Sequence, residues 1–219
     1  MIDFYFDFMS PYSYFAWKNL NTNYGHILNQ LKLKPVVFSQ LLNHYELKGP
    51  GEIDPKREFL LRQMMRYAKS KNIDFNTPAS HPFNPLYALR LACLSCSKGQ
   101  QSHVIDSIWH YGWVDGGELG DPEALTKGLI DSGIDNAEQL MEKTFERSVK
   151  SELKQNTKEA IAKGCWGVPS FILPSGELFW GNDSLAELSL SIGNNDTLDW
   201  AEYNRRVEQT PRRASQKLE

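Results

Sequence analysis

Strand-like patterns of apolar and polar residues occur at both ends of this chain, and a helical pattern fills the middle. Asp3 to Phe8 alternate acidic and aromatic side chains, which is typical of a short strand, and Leu33 to Phe38 form a second, partly β-branched run. Between these runs, Pro11 suits the first turn of a helix. The opening of the chain therefore predicts a β-α-β unit.

Late in the chain the pattern predicts a hairpin followed by a helix. Val168 to Leu173 and Glu177 to Trp180 have strand-like composition, and Pro174-Ser175-Gly176 between them is favourable turn chemistry. Asp183 to Ile192 then predict a closing helix.

The middle of the chain, from about Leu42 to Glu152, has the spacing of amphipathic helices. One of these helices begins at Asp121-Pro122-Glu123, which offers an N-cap, a first-turn proline and an early acid. Another presents one apolar face, formed by Phe59, Leu60, Met64, Tyr67 and Ala68.

Strands at both ends of a helical block predict the fold class α/β, a thioredoxin-like domain interrupted by an all-helical insertion. We expect the thioredoxin-like domain at residues 1–41 and 153–195, and the insertion at residues 42–152. A polar C-terminal tail is predicted at residues 196–219.

Composition narrows the possible partners. The 219 residues are 41% hydrophobic, enough for a large core, and the formal net charge is −3. Basic and acidic residues are interspersed, so we expect no binding to nucleic acid or to a membrane surface. The chain has no apolar run long enough to span a membrane and no secretory signal pattern at its N-terminus, which favours a cytoplasmic protein.

Ser10 and Ser13 lie three positions apart directly behind the first strand, where a thioredoxin-like redox protein has two cysteines. Helix starts of this kind stabilise a thiolate through backbone N–H groups and the helix dipole. From the local sequence alone, the favoured role for Ser10 is an N-cap of the helix that begins at Pro11.

The three cysteines do not form a framework of bridges, which suits a reducing compartment. Cys93 and Cys96 have the Cys-x-x-Cys spacing, but they lie deep in an amphipathic helical pattern, so we interpret them as core residues. Cys165 is interpreted as a buried, inert cysteine. The histidines show no zinc-ligand spacing, and no metal is predicted; they are His26, His44, His81, His103 and His110.

Three segments together resemble one family. Asp7 to Tyr14, Gly167 to Phe171 and Phe179 to Asp183 are similar to motifs of the 2-hydroxychromene-2-carboxylate isomerases, bacterial relatives of the kappa-class glutathione transferases. The resemblance implies a DsbA-like thioredoxin fold with a helical insertion, and glutathione as cofactor. The chain departs from the family at Ser184, where an arginine is common, and at Phe59, where a tyrosine is common.

By this resemblance, Ser10 donates a hydrogen bond to the sulfur of glutathione and lowers the pKa of its thiol. The backbone of Val168 pairs with the cysteinyl part of glutathione, and Pro169 follows a cis peptide bond. The alternative for Pro169 is a trans-proline that starts an edge strand.

The resemblance assigns further contacts to four polar residues. Asn182 and Asp183 would bind the γ-glutamyl end of glutathione, although an Asp before an apolar run is more often a helix cap. Lys56 and Asn84 in the insertion would face the substrate or cofactor. Their alternatives are a solvated surface charge for Lys56 and a turn or cap for Asn84.

The function that the resemblance implies is glutathione-dependent isomerisation of a small aromatic or unsaturated carboxylic acid, by reversible addition of the thiolate. The alternatives are a kappa-like glutathione transferase and a non-enzymatic thioredoxin-like binding module. A disulfide oxidoreductase is disfavoured because Ser10 and Ser13 replace the cysteines. The expected partners are a small-molecule carboxylate substrate and, as in many relatives, a second copy in a homodimer.

Overall fold

The computed structural model describes residues 1–210, so the last part of the predicted polar tail lies outside the described residues. Four strands form one sheet in the order β2-β1-β3-β4. They are β1 (Ile2–Phe6), β2 (Leu31–Pro35), β3 (Ser170–Ile172) and β4 (Leu178–Trp180).

The central strand β1 has neighbours on both edges. It pairs in parallel with β2, with Phe4 opposite Leu33, and antiparallel with β3, with Phe4 opposite Phe171. Strand β3 continues antiparallel to β4 through Phe171 and Phe179. Because α1 connects the two parallel strands, the predicted β-α-β unit is confirmed, and so is the predicted hairpin.

Helices make up most of the rest of the described chain. They are α1 (Pro11–Thr22), α2 (Gly25–Leu28), α3 (Phe38–His44), α4 (Asp54–Lys71), α5 (Leu86–Leu91), α6 (Leu94–Ser97), α7 (Gln101–Trp113), α8 (Pro122–Asp131), α9 (Ala137–Lys143), α10 (Arg147–Ala162), α11 (Leu185–Ile192) and α12 (Trp200–Gln209). Asp121 caps α8 through the Ala124 N–H, as the sequence predicts.

Both faces of β1 are buried, and the two faces carry different groups. On one face the rings of Phe4 and Phe171 stack, and Phe4 also stacks on Phe6. On the other face Tyr5 packs in a cluster with Val36, Leu41, Ala160, Cys165, Val168 and Ile172. Each large apolar side chain buried in this way stabilises the fold by about 1.5–3 kcal/mol.

The second strand ends earlier than the sequence predicts. The expectation was Leu33 to Phe38, but the strand ends at Pro35 and Phe38 already begins α3. Proline lacks an N–H for the ladder, and the Phe38 N–H instead donates to the carboxylate of Asp7. Helix α3 therefore extends across residue 41, and the predicted domain boundaries stay predictions.

Helix α4 forms where the apolar spacing predicts it, yet the packing of its apolar face differs from that of a core helix. Ala68 is its one buried residue, Leu60, Met64 and Tyr67 are half-buried, and Phe59 is 50% exposed. The period of a sequence pattern predicts a helix but carries no information on what covers its apolar side.

The chain forms two compact units, of which the first is Met1–Leu185 and contains the whole sheet. The described part of the second unit comprises the rest of α11 and all of α12, a helix that the sequence analysis did not predict. In α12, Trp200 and Tyr203 meet edge to face, and Glu202 pairs with Arg205 and Arg206. Within residues 1–210, the helices fall short of the length and apolarity needed to cross a membrane.

Candidate functional site

Ser10 ends the turn between β1 and α1 and is buried. Its Oγ accepts a hydrogen bond from the Ser13 N–H at 3.2 Å, so Ser10 is the N-cap of α1. The same hydroxyl donates to the carbonyl oxygen of Val168, also at 3.2 Å. One side chain therefore caps the helix and joins it to a segment 158 residues later.

Val168 and Pro169 lie opposite the start of α1. Their peptide bond is cis, as the sequence predicts. The Pro169 carbonyl accepts a hydrogen bond from the Gly181 N–H at 2.9 Å, which brings the end of β4 close to Pro169 and the Ser10 turn; we call this region the Ser10 corner. The three sequence motifs thus meet at one end of the sheet.

Gly181 allows the chain to turn sharply into Asn182 and Asp183. Its φ of +95° is unfavourable for other residues, and a Cβ there would overlap the carboxylate of Asp183. Asp183 is exposed, and its carboxylate has no hydrogen bond or ion pair with any described residue. Tyr12 in the first turn of α1 has a raised pKa because of burial and the nearby Asp183 carboxylate.

The side chain of Asn182 points into a polar network that the sequence analysis did not predict. Its Oδ1 accepts from the amide of Asn19 at 2.7 Å, and its Nδ2 donates to the Tyr67 hydroxyl at 2.8 Å. The Asn19 amide also donates to Tyr67 at 2.9 Å. This network ties α1 and α4 to the turn at Gly181, but isolated Asn and Tyr residues give no sequence signal of such pairing.

The loop between α4 and α5 reaches the Ser10 turn through His81. The Nε2 atom of His81 lies 2.9 Å from the Met9 carbonyl oxygen, and Arg57 donates to the His81 carbonyl at 3.3 Å. Lys56, next to Arg57, is exposed at the start of α4, and Asn84 follows in the same loop as His81.

Lys56 and Asn84 make no hydrogen bond or ion pair with Ser10, Val168 or Asp183 in the part of the chain described. The Asn84 Oδ1 accepts from the Leu86 N–H at 3.1 Å, which is the turn geometry expected as its alternative role. Their assignment to a substrate site stays a prediction.

Asp7 is a fully buried carboxylate just before the Ser10 turn. Its Oδ1 accepts from the Met9 N–H and its Oδ2 from the Phe38 N–H, each at 2.9 Å. Burial raises the pKa of Asp7 from 3.8 to about 6, and the two N–H donors oppose this rise only in part. The sequence signal was an acid among buried aromatic residues, to which the sequence analysis assigned no role.

The start of α1 fits an anionic ligand. Its first turn contains no acidic side chain. The Ser10 side chain caps the Ser13 N–H, which comes after Pro11 and Tyr12. The Tyr12 N–H is a first-turn amide, which has no acceptor inside the helix. The buried Ser13 hydroxyl has no hydrogen-bond partner among the described residues. This set of donors suits a thiolate, and the turn contains no sulfur of its own.

The three cysteines lie in the core, which agrees with their interpretation from sequence. Cys93 is the N-cap residue of the short helix α6, whereas the sequence analysis expected it deep within a helix. Burial raises the pKa of the Cys93 thiol, and it raises the pKa of Cys96 and Cys165 to about 11. In residues 1–210, no group of three or more His, Cys, Asp and Glu side chains could hold a metal ion.

A cavity of about 530 Å³ lies along α7 and α8, apart from this corner. His103, Asp106 and Tyr111 are among its lining residues, whereas Ser10, Val168 and Asp183 are not. We therefore base the candidate site on the residues around Ser10 and not on this cavity.

A parallel β-α-β start, an antiparallel hairpin and a cis-proline opposite the first turn of α1 define a thioredoxin-like protein. The chain belongs to the family described as DsbA-like thioredoxin domain, whose model matches residues 1–193.

Curated relatives agree with the resemblance seen in the motifs. Glutathione S-transferase kappa 2 of Caenorhabditis elegans is 23% identical over 202 residues, covering 86% of this chain and 90% of the relative. A 2-hydroxychromene-2-carboxylate isomerase of Sphingobium xenophagum is 26% identical over 186 residues, covering 84% and 93%.

A solved structure of a 2-hydroxychromene-2-carboxylate isomerase superimposes with a TM-score of 0.71 at 20% identity. The match covers 96% of this chain and 99% of that one. The predicted DsbA-like thioredoxin fold is thereby confirmed.

The burial of the cysteines predicts that none reacts in the native protein. With a small aromatic disulfide reagent at pH 8, we expect no rapidly modified thiol, because all three are at most 1% exposed. In denaturant, all three should react at once, as free glutathione does under the same conditions. Rapid modification of one thiol in the folded protein would contradict this and favour a redox function.

Proposed function

We propose that this protein is a glutathione-dependent enzyme that acts on a small aromatic or unsaturated carboxylic acid, as an isomerase of the 2-hydroxychromene-2-carboxylate type. The observation that carries the proposal is the Ser10 hydroxyl beside the Val168 carbonyl and cis-Pro169, at a helix start without cysteine. Bound glutathione would supply a thiolate that adds reversibly to a conjugated carbon, so that a double bond becomes a rotatable single bond.

In this proposal Ser10 and Val168 exchange partners when the ligand binds. A hydroxyl has one proton, and that of Ser10 is donated to the Val168 carbonyl. A ligand N–H that pairs with the Val168 carbonyl as an added strand releases the Ser10 proton for donation to the sulfur. A hydrogen bond to the charged sulfur favours the thiolate and lowers the pKa of the thiol.

The Gly181-Asn182-Asp183 turn is proposed to bind the γ-glutamyl end. The exposed and unpaired Asp183 carboxylate suits the cationic α-amino group of that end. Asn182 contributes to the same subsite, and its side chain, held by Asn19 and Tyr67, fixes the orientation of the turn.

Lys56 and Asn84 are proposed to face the substrate. Lys56 is an exposed cation at the start of α4. The next residue, Arg57, donates to the His81 carbonyl, and the His81 ring contacts the Met9 carbonyl next to Ser10. A lysine there suits a carboxylate as a point charge. A cytoplasmic location, where glutathione is abundant, belongs to the same proposal.

The second candidate function is glutathione transfer, which uses the same thiolate but releases a stable thioether. The similarity to a kappa-class glutathione transferase supports this candidate. A binding module without catalysis is the third, and it requires glutathione binding without turnover of any substrate.

The three functions differ in what happens to glutathione. With 2-hydroxychromene-2-carboxylate as the probe, we expect isomerisation that requires glutathione and leaves the glutathione concentration unchanged. Ultraviolet absorbance monitors the reaction. A thioether that accumulates in the mass spectrum would identify a transferase instead. Glutathione binding without either reaction would support the third candidate, a binding module without catalysis.

Ser10→Ala should raise the pKa of the thiol of bound glutathione by about one to two, because it removes a hydrogen bond to an anion worth roughly 1.5–3 kcal/mol. The measurement is the ultraviolet absorbance of the thiolate as a function of pH. Turnover near neutral pH should fall in proportion.

Asp121→Ala is the matched control for Ser10→Ala. Both substitutions remove an N-cap, at a cost of about 1 kcal/mol in the free energy of unfolding, but Asp121 caps α8 and not α1. We expect both variants to lower the denaturant midpoint, and only Ser10→Ala to change the pKa of the bound glutathione thiol. A bound thiol with the same pKa in both variants would reduce Ser10 to a cap.

Asp183→Asn should weaken glutathione binding by about fivefold, on the order of 1 kcal/mol for an exposed charge pair, without changing the pKa of the bound thiol. Calorimetry gives the dissociation constant. Asp135→Asn removes another exposed carboxylate elsewhere and is the control. Equal affinities of the two variants would remove Asp183 from the ligand site.

A further inference from the structure

Asp7 is unusual because it is a buried acid without a cation. Its side chain is 0% exposed, and no lysine, arginine or histidine forms an ion pair with it in the described chain. A buried carboxylate without an opposite charge disfavours its own ionised form. Hydrophobic packing alone does not require an acid at this position, since an apolar side chain would fill the space without a desolvation cost.

The geometry explains what the acid does. Met9 N–H and Phe38 N–H donate to different oxygens of Asp7, and the Ser10 N–H donates to the Asp7 carbonyl at 3.0 Å. An ionised carboxylate accepts fully at both oxygens, whereas a carboxylic acid carries a proton on one of them. The ionised form therefore holds the two N–H groups more strongly than the neutral acid does.

We propose that ionised Asp7 is the positioning residue of the Ser10 turn: its carboxylate holds the Met9 and Phe38 N–H groups together, and protonation weakens one of these hydrogen bonds and shifts Ser10. The part that concerns ligand binding rests on the proposed glutathione site. The part that concerns the turn does not.

The elements packed around Asp7 contribute few other charges. At the start of α3 the neighbours are the apolar Val37 and Phe38. The Thr157 hydroxyl of α10 accepts from the Val37 N–H, and the Trp113 indole of α7 donates to the Phe8 carbonyl. The first turn of α1 has no acid. These groups do not titrate near neutral pH.

His81 is the one titratable group that the described contacts bring to this turn from the insertion. Its Nε2 lies 2.9 Å from the Met9 carbonyl oxygen. His81→Gln removes the imidazole and serves as the control that assigns the pH dependence to Asp7.

The direct test needs no ligand. In the wild-type protein, the backbone amide resonances of Met9 and Phe38 should titrate with a pKa of about 6 between pH 5 and pH 8. The same titration should persist in His81→Gln and disappear in Asp7→Asn. Amide resonances that stay constant through this range in the wild-type protein would overturn the proposal, even if the Asp7 variant does not fold.

The functional test uses S-methyl glutathione, which has no ionisable sulfur in this range. Its affinity, measured by calorimetry, should fall about tenfold from pH 7 to pH 5 in the wild-type protein and in His81→Gln, the change expected for one proton with a pKa of about 6. In Asp7→Asn the affinity should be weaker at pH 7 and independent of pH.

The outcomes separate this inference from the proposed function. Titrating amides with a pH-independent wild-type affinity would overturn the positioning role while glutathione binding stands. If S-methyl glutathione and glutathione bind at no pH, the proposed function fails, and the amide titration alone decides whether Asp7 controls the turn.

Discussion

The pairing of β3 with β1 is the interaction on which the candidate site depends. The chain leaves the sheet after β2 and returns to it more than a hundred residues later, with Phe171 opposite Phe4. This antiparallel register brings Val168 within hydrogen-bond distance of Ser10. The stacked rings of Phe4 and Phe171 stabilise the register, since a slip by one residue would turn these side chains to the other face of the sheet.

The parts of the fold that the sequence predicted are those with local causes. Pro11 after a serine indicates a capped helix, and Pro174-Ser175-Gly176 between two apolar runs indicates a hairpin; both are present. The cis bond before Pro169 followed from resemblance to thioredoxin-like folds and is also present. Local sequence is informative here because capping and turn formation involve residues only a few positions apart.

The parts that the sequence did not predict depend on partners far along the chain. Phe38 begins a helix because the Asp7 carboxylate, 31 residues earlier, accepts its N–H. Tyr67 accepts amide protons from Asn19 and Asn182, which are 48 and 115 residues away. No periodicity encodes such pairs. The incomplete burial of the apolar face of α4 is equally absent from the pattern, because it depends on what packs against the helix.

Asn182 and Asp183 show how one turn gives neighbouring residues opposite roles. Gly181, at a φ of +95°, reverses the chain so that the Asn182 amide enters the network with Asn19 and Tyr67. The same turn leaves the Asp183 carboxylate exposed beside Tyr12, in the first turn of the helix that Ser10 caps. The alternative role for Asp183, a helix cap, requires an N–H donor to its carboxylate, and none of the described residues provides one. The proposed contact with a cationic ligand would benefit from this arrangement, because the hydrogen bonds of Asn182 fix the backbone next to Asp183 and reduce the conformational entropy lost on binding.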